Sequence, residues 1–214
     1  MLRPMDANVG PVADEREGLL GFLAQQRRVL KAAAYGLTED QLRLSPSASA
    51  LSVGGLLKHV AAVESSWIDT MLQRESQQTA ASYGSDFLLT PEDTLESLLE
   101  AYDRVAAELE VAVADLDLGD PVPVPDQPWF PKDLKAWSVR WVLLHLIEEV
   151  ARHAGHADII RESIDGATGY ALLAGAEKWE PTPWLKPWQP PSAQSHTELS
   201  TGPAAAPPSP QPSA

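Results

Sequence analysis

The chain of 214 residues contains no cysteine. That absence excludes disulfides, thiolate metal ligands and a protein-borne thiol nucleophile, so any sulfur chemistry here must use a thiol brought in from outside. Basic residues are also scarce, with 16 Lys and Arg against 30 Asp and Glu and a formal net charge of -14. A field of that sign repels a phosphate backbone, and no basic run compensates for it, so nucleic-acid binding is not expected. No apolar run approaches the roughly 18 residues needed to span a bilayer, which argues against a membrane protein. The opening Met1-Leu2-Arg3-Pro4-Met5-Asp6 lacks the apolar core of a secretory signal, so the expected location is the cytoplasm. Internal repeats and a convincing series of strands are missing too.

What is present reads as an all-α domain. Hydrophobic residues make up 44% and charged residues 21%, the balance of a globular chain with one sizeable core. Residues 1–13 are expected to be disordered, residues 14–190 to form the domain, and residues 191–214, rich in Pro, Ala and Ser, to be a disordered tail. Within the domain, Leu19, Leu20, Leu23, Val29 and Leu30 recur at helical spacing between Asp14 and about Ala34, and Gly36 ends that helix. Thr38 to Gln41 matches a capping box for one short turn. A second long helix is expected from an N-cap at Ser52 to about Gln73. A third should start with Thr90 as N-cap and Pro91 at the first helical position. Gly119 to Ala136 carries five prolines and should be an ordered but non-helical crossover. A last long helix runs from Ser138 to about Asp165, with Gly166 as its stop. Four long helices joined by two longer connections describe a four-helix bundle.

The last helix carries the chemical signal. At about 100° per residue, Val139, Val142, Leu146, Val150, Ala157, Ile160 and Ile164 share one face. Glu149 and His153 project within that stripe, and His156 lies at its edge. A carboxylate in an apolar stripe is costly unless it is paired or bound to a metal, and positions i and i+4 let both groups reach one point. His59, between Leu56 and Val60 on the inward face of the second helix, is placed to supply a third ligand. Three N/O ligands with an open position are the arrangement of a catalytic metal site. A lone inward histidine is more often a hydrogen-bonded core residue, so spacing alone leaves both readings standing. His156 has two roles open to it: a ligand in place of Glu149, or a group that orients whatever the metal binds. His145 reads as a core histidine. The tryptophans at 129, 137, 179, 184 and 188 read as anchors for irregular segments, with a pocket lining as the alternative.

These residues carry a resemblance. Ser52-Val53-Gly54-Gly55-Leu56-Leu57-Lys58-His59-Val60 with Glu64 and Trp67 is similar to the DinB-like superfamily of metal-binding four-helix bundles. So are Leu144 to Glu149, Arg152 to Asp158 and Arg161-Glu162. With Trp184-Leu185-Lys186-Pro187-Trp188 near the end, the chain more closely resembles the superfamily's actinobacterial branch of mini-circle proteins and mycothiol-dependent transferases. The resemblance implies a metal held by His59, Glu149 and His153. Glu149 departs from the His of most members, while mycothiol-dependent maleylpyruvate isomerase is similar in having Glu there. His156 falls where many relatives have Gln. A His/Glu/His set suits Zn²⁺ and also accepts Ni²⁺, Fe²⁺ or Mn²⁺.

The function implied is a metal-dependent S-transferase. It would use mycothiol as the thiol cosubstrate against an electrophilic small molecule, in a monomer or homodimer. Alternatives are a thiol-assisted isomerase, a metal-dependent hydrolase, or a non-catalytic metal-binding or small-ligand-binding stress-response module.

Overall fold

A computed structural model describes residues 7–75 and 84–190. The expectations of disorder at residues 1–6 and 191–214 lie outside the described residues. Four long helices dominate: α1 (Glu15–Ala33), α3 (Val53–Met71), α4 (Leu95–Ala114) and α5 (Val139–Asp165). A short α2 (Glu39–Leu42) and a terminal α6 (Gly169–Ala176) accompany them. In the bundle α1 packs on α5, and α3 packs on both α4 and α5. The core between them is aliphatic, with Leu23, Leu30, Leu56, Leu57, Val60, Leu109, Val142, Leu146 and Val150 all fully buried. No helix among the described residues is long and apolar enough to cross a membrane.

The caps explain where the helices begin. Asp14 and Ser52 accept hydrogen bonds from the backbone amides of Glu17 and Gly55, and Ser138 accepts from that of Trp141. Each satisfies one of the amides that a helix N-terminus leaves without an internal partner. The capping box at Thr38 and Gln41 forms as the pattern predicts. Gly166 ends α5 at φ 77°, a left-handed backbone that glycine adopts without a Cβ penalty.

The third long helix starts later than its Thr90-Pro91 signal indicates. Its N-cap is Thr94, in a capping box with Ser97. Thr90 instead donates from its amide and hydroxyl to the Asp93 carboxylate, at 2.7 and 3.1 Å. Lys58 Nζ donates to the same oxygen of Asp93 at 2.8 Å and to the Leu88 carbonyl at 3.0 Å. Held by three donors, Asp93 closes a turn ahead of the helix rather than joining its first turn.

Three elements in and beyond the crossover, two strands and a helix, have no counterpart in the sequence reading. The crossover holds a short antiparallel pair, β1 (Pro121–Pro123) with β2 (Ala136–Ser138), in which Val122 faces Trp137. Helix α6 follows directly on Gly166 and packs on α1. Its sequence, Gly-Tyr-Ala-Leu-Leu-Ala-Gly-Ala, has no charged residue and two glycines, so neither amphipathic contrast nor propensity marks it. Burial of Leu172, Leu173 and Ala174 against Ala32 and Trp179 compensates.

Two arginines are buried where helical phase puts them inward. Arg27, on the stripe of Leu23 and Leu30, donates to the fully buried Glu64 carboxylate with Nε at 3.0 Å and also with a terminal nitrogen. Tyr102 donates its hydroxyl to Glu64 at 2.8 Å, so one carboxylate joins α1, α3 and α4. Arg161, fully buried on α5, pairs with Asp165 and donates to the carbonyls of Ala33 and Tyr35 at 2.9 and 2.7 Å. Trp188 lies over its guanidinium, 4.5 Å from Arg161 Cζ to the ring centre. The Trp184 to Trp188 segment is thereby closed onto the bundle through Trp188, while Trp184 stays exposed.

Candidate metal centre

Helix α5 projects Glu149 and His153 from adjacent turns, and α3 brings His59 across to meet them. His153 Nε2 lies 3.1 Å from Glu149 Oε1, and His59 Nε2 lies 3.3 Å from the same oxygen. One ligand atom from each of the three residues falls within 4.8 Å of the others, the sole such cluster among the described residues. His59 is 1% exposed and His153 8%, so the two imidazoles are withdrawn from water while Glu149 sits at the rim. Hydrogen bonds to His153 and then His59 hold the Glu149 carboxyl well below the ordinary carboxylate range, against burial, which pushes it up. The group is therefore an anion facing two ring nitrogens.

This donor set fits a divalent cation on its geometry. Ligands about 2.0–2.1 Å from a tetrahedral zinc lie about 3.3 Å from one another. The two separations seen at Glu149 Oε1 are close to that. His153 also carries a buried Nδ1 with no hydrogen-bond partner among the described residues.

The three residues singled out by helical phase are thus brought together, and the fourth is not. His156 stays outside the convergence, its ring centre 5.6 Å from that of His153 and its buried Nδ1 without a partner among the described residues. His145 stacks on Trp141 at 5.1 Å and meets the edge of Trp67 at 5.4 Å, so it belongs to an aromatic cluster one turn before Glu149. Trp137 stacks on Trp141 at 4.0 Å with the rings parallel, and Phe130 packs against both Trp137 and Trp67. Trp137 therefore anchors the crossover to the bundle. Trp129 is half exposed and touches Phe130.

One residue at the site escaped the sequence reading. Phe87, in a single 3-10 turn (Ser85–Phe87), stacks face to face on His59, with ring centres 3.8 Å apart and 18° between planes. It also meets His153 at 5.8 Å. No periodicity marks a residue that reaches the site from a polar connection.

A helical bundle with a His/Glu/His convergence between its second and last long helices is a DinB-like architecture. The family model for mycothiol S-transferases matches residues 18–166, and the chain belongs to that family. Among solved structures, the crystal structure of a conserved protein from Enterococcus faecalis is similar in fold, with a TM-score of 0.53 and 15% identity. The match covers 73% of this chain and 100% of that one. No curated protein matches the chain.

Proposed function

We propose that the chain is a metal-dependent S-transferase that activates a low-molecular-weight thiol, mycothiol, for attack on an electrophilic small molecule. The observation that carries this reading is the convergence of His59, Glu149 and His153 in a chain of the mycothiol S-transferase family. A divalent ion held by these three residues, Zn²⁺ by donor type, supplies a Lewis acid that favours the thiolate form of sulfur at neutral pH. Ni²⁺, Fe²⁺ and Mn²⁺ suit the same donors.

The chain's own residues prepare the site for that chemistry. Glu149 contributes the single negative charge among the three ligands, so a divalent ion there keeps a net positive charge for an incoming thiolate. Burial of the two histidines keeps the effective dielectric low, which strengthens that attraction. With no cysteine in the chain, no internal thiol competes for the metal.

Two measurements test the reading. Protein purified without a histidine tag is expected to carry close to one metal ion per chain, and His59→Ala and His153→Ala sharply less. The wild type is expected to consume monochlorobimane only when mycothiol is present, and to stop on chelation. Turnover without thiol would replace the transferase by a hydrolase. Metal binding with no turnover over a broad electrophile panel would leave a binding module. Equal metal content in wild type and variants would remove the metal centre itself.

A further inference from the structure

Gly54 and Gly55 open α3, an unusual place for two consecutive glycines because each destabilises a helix relative to alanine. Packing explains both. A Cβ on Gly54 would lie 2.6 Å from the Leu89 side chain and 2.8 Å from that of Leu42. A Cβ on Gly55 would overlap the main-chain carbonyl of Phe87. The missing side chains let residues 87–89 lie directly on the first turn of α3, and Lys58 ties the same segment through the Leu88 carbonyl and Asp93. Four residues after Gly55 comes His59, and the seated segment lays the Phe87 ring on its imidazole.

The stacked ring does more than cover a histidine. Phe87 is only partly buried, so part of it stays accessible beside His59 and His153. One turn before Glu149 on α5, His145 begins the aromatic cluster of Trp141 and Trp67. Aromatic rings thus lie on His59 itself and one helical turn from Glu149. Such surroundings favour a flat apolar group over a small polar one, by about 2–12-fold in binding per ring contact beyond the area buried.

We propose that Phe87, seated by Gly55, is a specificity-determining residue whose ring forms the apolar wall for a flat, aromatic electrophile next to His59. The word electrophile rests on the transferase reading above; the wall itself does not. The test therefore has a binding arm and a turnover arm. Syn-tetramethylbimane, the unreactive analogue of monochlorobimane, is titrated into the protein as purified. It is expected to bind about 5–10-fold more weakly to Phe87→Ala, the loss of one ring contact, and about equally to Phe87→Tyr. Gly55→Ala, which displaces Phe87 without altering it, is expected to weaken binding in the same direction, with metal content unchanged in all three.

In turnover with mycothiol, Phe87→Ala should lose kcat/KM for monochlorobimane through KM while keeping that for iodoacetamide within about twofold, because the latter has no ring to place. Tetramethylbimane binding that is absent in the wild type, or unchanged in Phe87→Ala, overturns the proposal. An equal loss for both electrophiles does the same. Discriminating binding without any mycothiol-dependent turnover would sink the transferase reading and leave the wall in place. Should Gly55→Ala fail to fold, the Phe87→Ala and Phe87→Tyr pair decides alone.

Discussion

Asp158 lies two residues beyond His156, and its carboxyl is pushed up to about 6, first by burial and then by the neighbouring charge of Glu162. One of its oxygens is buried with no hydrogen-bond partner among the described residues. The sign of the consequence follows from linkage. Below about pH 4 the group is protonated in both folded and unfolded chains and costs nothing. As pH rises towards 6, the unfolded chain releases its proton first, so stability is lost across that window. Asp158→Asn removes the titration, and its advantage over wild type should be near zero at pH 4. It should reach about 1–2 kcal/mol at pH 7.5, a full shift discounted for the part of the carboxyl left in water. Urea midpoints at the two pH values check this, and an equal difference at both would contradict it.

The same scale shows what a single sequence makes legible. Glu149 and His153 are visible because a polar pair at i, i+4 interrupts an apolar stripe, and His59 because it interrupts another. Arg27 and Arg161 are harder to read, since a long basic side chain on a helix is usually solvated. Only the partners, Glu64 on another helix and the carbonyls at the end of α1, explain their burial. Phe87 reaches His59 through a backbone contact at Gly55 that no local pattern encodes.

At the scale of elements, helix ends decide how sharply the bundle is drawn. Gly36 and Gly166 both hold a positive φ after a long helix, at 72° and 77°. Nothing lies within 4 Å of a Cβ built on Gly166, whereas one on Gly36 would lie 2.6 Å from the Trp188 ring. Gly166→Ala is therefore expected to cost about 1 kcal/mol, the backbone penalty alone. Gly36→Ala should cost more, about 2–4 kcal/mol, because it adds a clash with the Trp188 ring that also covers Arg161. Chemical denaturation of the two variants checks the order, and equal losses would contradict it.

Elements also differ in how well their sequence announces them. The long helices with Ser, Thr or Asp caps and a clear stripe are readable, α5 to within a residue at each end. Helix α6 and the β1–β2 pair are not, because a helix of two turns and strands of three residues take their stability from what they pack on. The start of α4 is misread for a related reason: the Thr90-Pro91 signal is genuine turn chemistry, captured by Asp93 and Lys58 from outside the helix.

At the scale of the whole molecule, the triad joins positions 90 residues apart, His59 and Glu149, through one point. A divalent ion held there would be a cross-link that exists only in the folded chain, since the unfolded chain does not hold the three donors together. It differs in this from a disulfide, which acts by restricting the unfolded chain. Its contribution follows free metal: about 2.7 kcal/mol at one hundred times the dissociation constant. Chelation is then expected to lower the Tm of the wild type by about 5–10 °C, at about 2–4 °C per kcal/mol for a chain of this size. It should leave His153→Ala unchanged. Calorimetry with and without chelator checks it, and equal shifts in both proteins would place any metal elsewhere. In a chain without cysteine, this tie between α3 and α5 would respond to the supply of metal and to acidity, and would be indifferent to the redox poise that governs cross-linking in most other proteins.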